Sequence, residues 1–252
     1  MSQTRAVLHT TNLPLRQNRL EVKAVPSRWK QPAEVPPLFA DISAAHLAEI
    51  RSAARPTNFT RRQTIFFPGE MIQRVVLLTE GSAKITQIDE SGSTVILRLA
   101  GPGEVVGPLG GGRFGTHSSS AEARISSKAL VWEMAAFETL SDRFHLLRRN
   151  TMRILTKSLH ELEARFCEIS TRRVAQRLAL ELARLVPQVG KEVGGVIEIN
   201  LSREELAQMT ATTLFTVSRQ LSIWEQQGIV SLRRLGVVVR NPLSLMAISE
   251  LK

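Results

Sequence analysis

The chain has no tyrosine, a single cysteine and only three aspartates. The lone thiol, Cys167, rules out an internal disulfide and any cysteine-based zinc site or cluster built from this chain alone. It fits a reducing, cytosolic compartment. The aspartates, Asp41, Asp89 and Asp142, lie far apart. No Ser-His-Asp order, HExxH or paired-carboxylate spacing appears, so an enzyme finds little support. Long apolar runs are missing too. No stretch approaches the roughly 18 residues that a membrane span needs. Residues 1–37 lack the apolar run of a secretory signal.

What is present suggests two domains of ordinary size: 252 residues, 43% of them hydrophobic. The net charge of +10 is uneven. Residues 1–37 carry six Lys/Arg against two acids, residues 38–170 sixteen against fourteen, and residues 171–252 eleven against seven. Basic ends on a nearly neutral middle point to a polyanion such as DNA, RNA or an anionic membrane. Residues 1–37, with Pro14, Pro26, Pro32, Pro36 and Pro37, read as a flexible basic arm. A cleaved transit peptide is the alternative.

Residues 38–55 predict a helix, with Leu38, Ile42, Leu47 and Ile50 apolar and Pro56 as its stop. From 59 to 134 strand-length runs alternate with Gly and Pro, as in a sandwich or barrel. Asp89-Glu90-Ser91-Gly92 predicts a hairpin loop. Residues 137–166 read as helical. Met152, Leu155, Leu159, Leu162 and Phe166 recur at spacings of three and four, the seam of a two-helix dimer. A helix packed on its own domain is the alternative, but so narrow a stripe favours the seam. Ser170-Thr171 are expected to cap a helix over 172–186, followed by Pro187, a loop and a short strand over 196–201. The run Gly107-Pro108-Leu109-Gly110-Gly111-Gly112 lacks the Gly-Lys-Ser/Thr ending of a phosphate loop.

The C-terminal stretch carries the most chemistry. Ser202-Arg203-Glu204-Glu205 is a capping box. Its helix stops at Thr210-Ala211-Thr212-Thr213, and Thr212 or Thr213 can cap a second helix from Leu214 to Gln227. There Val217, Leu221 and Trp224 face inward, while Phe215, Thr216, Ser218, Arg219 and Ser222 stay outside. Gly228 ends it. Two short strands follow, with Arg233-Arg234-Leu235-Gly236 at their tip. Helix, tight turn, helix and basic hairpin make a winged helix-turn-helix. Its second helix suits the major groove, with Thr213 and Leu214 at the groove-facing start. Arg219 is the expected base reader, bidentate to guanine. Arg203, Arg233 and Arg234 fit phosphate contacts.

This order of parts resembles the bacterial regulators that include the cyclic AMP receptor protein and the fumarate-nitrate reduction regulator. The resemblance covers about residues 38–242. It rests on Gly81, Gly92, Gly103 and Gly107, the long helix, and Leu201-Ser202-Arg203-Glu204-Glu205-Leu206-Ala207 leading to Thr216-Val217-Ser218-Arg219. It implies an α+β chain: a double-stranded β-helix (β-roll) sensor over 38–136, a dimerisation helix over 137–169 and a DNA-binding domain over 170–252. It also implies a homodimer, a palindromic promoter site, RNA polymerase as partner, allosteric control and no membrane. Arg219 takes the place of the family's base-reading arginine, Ser218 of a frequent neighbour, and Arg203 of a residue near the DNA backbone. The effector pocket would fall on Leu97, Leu99, Gly107, Leu109, Ser118, Ser119, Ser120 and Ser158.

The departures restrict these implications. Phe215 stands where members usually carry a Glu, so a thymine methyl replaces a cytosine amine as its natural contact. The cyclic-nucleotide cassette reads Gly-Glu-Leu and then Arg-Ser or Arg-Thr. Here Gly107-Pro108-Leu109 and Ser118-Ser119-Ser120 carry neither charge. Cyclic AMP is therefore not expected, because its phosphate would lack a counterion. The cysteines of the oxygen-sensing branch are missing, so an iron–sulfur cluster is not expected either. Haem stays an open alternative through His9, His46, His117, His145 or His160. Cys167, at the end of the seam, reads either as a redox switch or as a small buried hydrophobe. Besides an enzyme, the competing reading is a ligand-binding regulatory subunit that acts on a protein partner.

Overall fold

The computed structural model describes residues 35–109 and 115–250. The arm read at 1–37 lies outside the described residues except for its last three, as do Gly110–Gly112 and His9. A 3-10 turn at Pro37–Phe39 leads to α1 (Ala44–Ser52), then β1 (Arg55–Phe59), β2 (Thr64–Phe66), β3 (Arg74–Glu80), β4 (Ala83–Ile88), β5 (Thr94–Ala100), β6 (Val105–Val106), β7 (Ser120–Ala123) and β8 (Ser127–Glu133). Helices α2 (Met134–Arg143), α3 (His145–Thr171) and α4 (Val174–Val189) follow. The C-terminal unit adds β9 (Lys191–Val193), β10 (Val196–Ile199), α5 (Arg203–Met209), α6 (Leu214–Gln226), β11 (Val230–Arg233), β12 (Gly236–Val239) and α7 (Pro242–Glu250).

The first eight strands form two antiparallel sheets, ordered β1-β8-β3-β6 and β2-β7-β4-β5. Ile65, Phe66, Val76, Leu78, Ile85 and Val131 fill the space between them. The hairpin at Asp89 forms as its sequence suggests. Gly92 takes φ +83°, and the Asp89 carboxylate accepts from the Ser93 amide at 2.8 Å. Gly81 is obligatory at its turn, because a Cβ there would overlap Ser127. The other face of the β3–β8 sheet is covered by α1, α2 and the start of α3. Trp132 is fully buried there and donates through Nε1 to the Ile50 carbonyl at 2.8 Å.

Local chemistry shifted several boundaries. The expected 38–55 helix begins only at Ala44, where Ser43 accepts from the His46 amide. Pro56 lies inside a strand rather than behind a helix. Strand β1 is at a sheet edge, the place where a residue without an N–H is tolerated. The helix read at 137–166 is two helices. Phe144 breaks it with an extended backbone and buries its ring in the core, with no Gly or Pro to announce the break. Ser170 and Thr171 do not cap the next helix. Their hydroxyls donate backward to the Phe166 and Cys167 carbonyls at 2.9 and 2.7 Å, and α3 runs on to Thr171. Helix α4 also passes through Pro187, in its last turn, and ends at Val189.

The C-terminal unit packs around Leu178, Leu182, Leu206, Val217, Leu221 and Trp224. Its sheet runs β11-β12-β10-β9. This core also receives Ile96 and Leu99 of β5, the edge strand of the roll. The edge is closed by α3 as well, where Arg165 donates to the Leu97 carbonyl at 2.6 Å. Arg124, between β7 and β8, donates to the Asn200 carbonyl at 2.5 Å and lies 3.8 Å from Glu205. Roll, long helix and C-terminal unit thus meet along β5.

Candidate nucleic-acid interface and ligand cleft

The capping box at α5 is complete. Ser202 Oγ accepts from the Glu205 amide at 3.1 Å, and Glu205 accepts from the Ser202 amide at 2.8 Å. Arg203, the first residue of α5, is exposed. Ala211 turns the chain toward α6 with φ +49°, and its carbonyl accepts from Arg177 of α4 at 3.2 Å. Thr213 caps α6 by accepting from the Thr216 amide at 3.2 Å. Of the two threonines that sequence offered, Thr213 is the cap.

Helix α6 buries Val217, Leu221 and Trp224 and turns the other side outward. Phe215, Arg219 and Ser222 stand at i, i+4 and i+7, hence on one face. All three are exposed, Phe215 by 85%. Thr213 and Leu214 are exposed at the helix start; Thr216 and Ser218 are half-buried. No carboxylate lies within 4.0 Å of Arg203, Arg219 or Arg234 among the described residues. The wing strands β11 and β12 join through Arg234-Leu235, and the Leu232 amide donates to Glu225 of α6 at 2.7 Å. Arg233 is different: it pairs with Glu198 of β10 at 2.9 Å. The guanidinium expected at a phosphate thus has an internal partner, which sequence did not reveal. Free amides at the start of α6, a cationic outer face and a basic tip form a surface suited to a polyanion.

The seam residues all lie on α3. Met152, Leu155, Leu159, Leu162 and Phe166 are exposed, Phe166 by 71%. Cys167, beside them, is exposed too in the single chain.

The expected effector residues do not come together. Leu97, Leu99 and Ser158 line a cleft of about 780 Å³ between β5, α3 and the α4–α7 pair. Gly107, Leu109 and Ser118–Ser120 do not. Leu109 is buried in the core under α1 and α2. Gly107 lies against the Phe66 ring, Ser118 is exposed, and Ser120 bonds Thr86 at 2.8 Å. The cleft holds charges that sequence reasoning missed: Arg98, Glu104, Glu161, Arg165 and Arg184. The clue was an arginine inside the apolar run Val95-Ile96-Leu97-Arg98-Leu99. Arg184 grips Glu168 with two bonds of 2.8 Å and also reaches Glu181, and these acids hold its pKa up although burial opposes its charge. Burial is the largest influence on Arg98 and pulls its pKa down, while Glu104 and Glu161 oppose that. Among the described residues no histidine lines the cleft. His46 packs on Phe144, His117 on Phe66, and His145 and His160 are exposed on α3.

Known proteins with this arrangement settle the family. Residues 56–144 match the cyclic nucleotide-binding domain, and residues 172–248 match the Crp-like helix-turn-helix domain. The chain belongs to the CRP/FNR family of DNA-binding transcription regulators. It is 24% identical over 207 residues to a CRP-like cAMP-activated global transcriptional regulator of Mycobacterium tuberculosis, covering 81% of this chain and 92% of that one. It is 23% identical over 237 residues to the transcriptional activator protein anr of Pseudomonas aeruginosa, covering 91% and 96%. In fold it is similar to FixK2 from Bradyrhizobium japonicum, with a TM-score of 0.71 at 22% identity, over 79% of this chain and 98% of that one. A CRP/FNR-family regulator of Thermus thermophilus gives 0.68 at 20%, over 78% and 99%. This CRP/FNR-type chain therefore pairs a cyclic-nucleotide-binding-like roll with a winged helix-turn-helix, and its α+β class is as expected.

Proposed function

We propose that this CRP/FNR-type regulator acts as a homodimer on palindromic promoter DNA, under allosteric control by a signal received at the roll. The observation that carries the proposal is Arg219, exposed and without a carboxylate partner on the outer face of α6 while Val217, Leu221 and Trp224 anchor the inner face. Arg219 reads a guanine through O6 and N7, and Phe215 packs on a thymine methyl nearby. Arg203 and Arg234 set register on phosphates, joined by Thr213, Thr216, Ser218 and Ser222 along the groove.

The exposed α3 stripe supports the dimer. Its apolar side chains are between 36% and 71% exposed, so covering each with a second copy removes further apolar surface from water and favours association. Two copies of α6 related by a two-fold axis then face successive major grooves, which is why the site is read as palindromic. RNA polymerase is the partner this reading gives the promoter-bound dimer.

The signal is not an iron–sulfur cluster in this reading, since Cys167 stands alone. Cyclic AMP is also set aside, because Pro108 occupies the place of the ribose-binding Glu and Ser118-Ser119 the place of the phosphate-binding pair. Catalysis has no part in it. The test is selection of bound duplexes from a random pool with purified full-length protein, followed by fluorescence anisotropy across a salt series. The expected result is a two-fold-symmetric consensus with a guanine in each half-site and an affinity that falls steeply with salt. Recovery of no consensus, or binding without salt dependence, overturns it.

A further inference from the structure

The cleft along β5 lies where roll, long helix and C-terminal unit meet, and its charges are unevenly satisfied. Lys157 pairs with Glu161 at 3.6 Å, Arg165 with Glu181 at 3.4 Å, and Arg184 with Glu168 and Glu181 at 2.8 and 2.9 Å. Arg98 alone among the cleft's described cations has no carboxylate within 4.0 Å. Its one hydrogen bond runs to the Val105 carbonyl at 2.7 Å, a neutral acceptor. Glu104 is occupied by the Gly101 amide at 2.9 Å, and Glu161 by Lys157. A half-buried guanidinium whose one described hydrogen bond goes to a neutral carbonyl can still take an anion as partner. A second unfilled group lines the same cleft: Gln188 Oε1 is buried and has no hydrogen-bond partner among the described residues. Around them the walls are apolar, from Ile85, Leu97, Leu99, Leu180 and Met246. The volume of about 780 Å³ is that of a small-molecule site.

We propose that this cleft binds an amphipathic organic acid, its carboxylate on Arg98 and its apolar body along Leu97, Leu99 and Met246. A donor on the ligand would satisfy Gln188. The site lies apart from Gly107-Pro108-Leu109 and Ser118–Ser120, so it does not repeat the cyclic-nucleotide cassette. It deepens the allosteric reading above and rests on it for its consequence. A ligand held at once by β5, α3 and α4 favours one arrangement of roll, helix and C-terminal unit over others, which is how occupancy would reach α6. Leu162 belongs both to the cleft and to the α3 stripe, so a second copy would also border the ligand.

The test needs no DNA and so stands apart from the operator experiment. Full-length protein is titrated by calorimetry and thermal shift with phenylpropionate, indole-3-acetate and octanoate, with their primary amides, and with cyclic AMP. At least one acid is expected to bind and to raise the melting temperature. Its neutral amide should bind about tenfold more weakly or less, the equivalent of one lost charge-assisted contact. Arg98→Gln should erase the difference between acid and amide. Equal binding of acid and amide to the unsubstituted protein overturns the proposal even if Arg98→Gln does not fold. So does failure of every acid to bind, and so does binding of cyclic AMP in place of the acids.

Discussion

Helices α3 and α4 carry leucines at the same spacing. In α4 Leu178, Leu182 and Leu185 are fully buried. In α3 Leu155, Leu159 and Leu162 repeat the interval, and all three are exposed. Spacing alone cannot tell these stripes apart, since both read as one apolar face of a helix. The structure separates them by what lies opposite: a complete C-terminal core against the α4 leucines, whereas the described residues leave the α3 leucines exposed. A group whose partner is inside the chain specifies the fold. A group left without one marks where another molecule belongs.

The sharpest way to break this contrast is to place a charge on each stripe. Leu182→Asp puts a carboxylate into a sealed core and should cost more than about 4 kcal/mol, enough to unfold the C-terminal unit. Leu159→Asp should leave the fold intact by circular dichroism and convert a dimer to a monomer in sedimentation velocity. It should also cost most of the operator affinity, because one half-site contact is lost. If Leu159→Asp unfolds the chain as Leu182→Asp does, the α3 stripe is a core face and the dimer reading falls.

The same contrast applies to the arginines of the DNA-facing surface. Arg219 and Arg234 have no carboxylate partner among the described residues, whereas Arg233 has Glu198. Arg219→Ala should cost about 1–3 kcal/mol on the selected operator and relax preference at one base per half-site. Arg234→Ala should weaken binding evenly across sequences and lower the salt slope by about 1. Removing the internal pair together, with Arg233→Gln and Glu198→Gln, keeps the net charge and should leave the slope unchanged. A slope that drops equally in both cases would mean that Arg233 leaves Glu198 for phosphate.

What could be read from sequence follows the same division. The capping box, the Thr213 cap, the buried triad of α6 and the hairpin at Gly92 all depend on neighbours within a few residues, and a linear reading sees those. The break at Phe144 is set by a core built from distant segments, and no Gly or Pro marks it. Pro56 was misplaced for the opposite reason, because a strong local signal was met by an edge strand that tolerates it. The cleft was least legible. Arg98 and Glu104 stand near each other in sequence, but Glu161, Arg165 and Gln188 join them at the cleft only through the fold. Of the residues expected at the effector pocket, the fold brings only Leu97, Leu99 and Ser158 to this cleft.

His117 offers the smallest effect and a group of mixed kind, its ring covered and its nitrogen not satisfied. The imidazole is buried and stacked on Phe66 at 3.7 Å, and Nδ1 has no partner among the described residues. Burial is the main influence on its pKa and pulls it below the usual value, with Glu70 opposing and Arg74 assisting. The unfolded chain takes up that proton near pH 6.5, before the folded one does. Between those two pKa values the unfolded state binds more protons, so stability must rise with pH. The contribution is present in full above about 6.5 and is lost as pH falls through the folded value. Urea midpoints of the roll should therefore decline from neutral to mildly acid pH, with a slope of at most about 1.4 kcal/mol per pH unit from this one group. His117→Phe keeps a ring against Phe66 and has no proton to gain, so it should flatten that part of the profile. An unchanged profile in His117→Phe would show that burial of this imidazole does not set that part of the pH dependence.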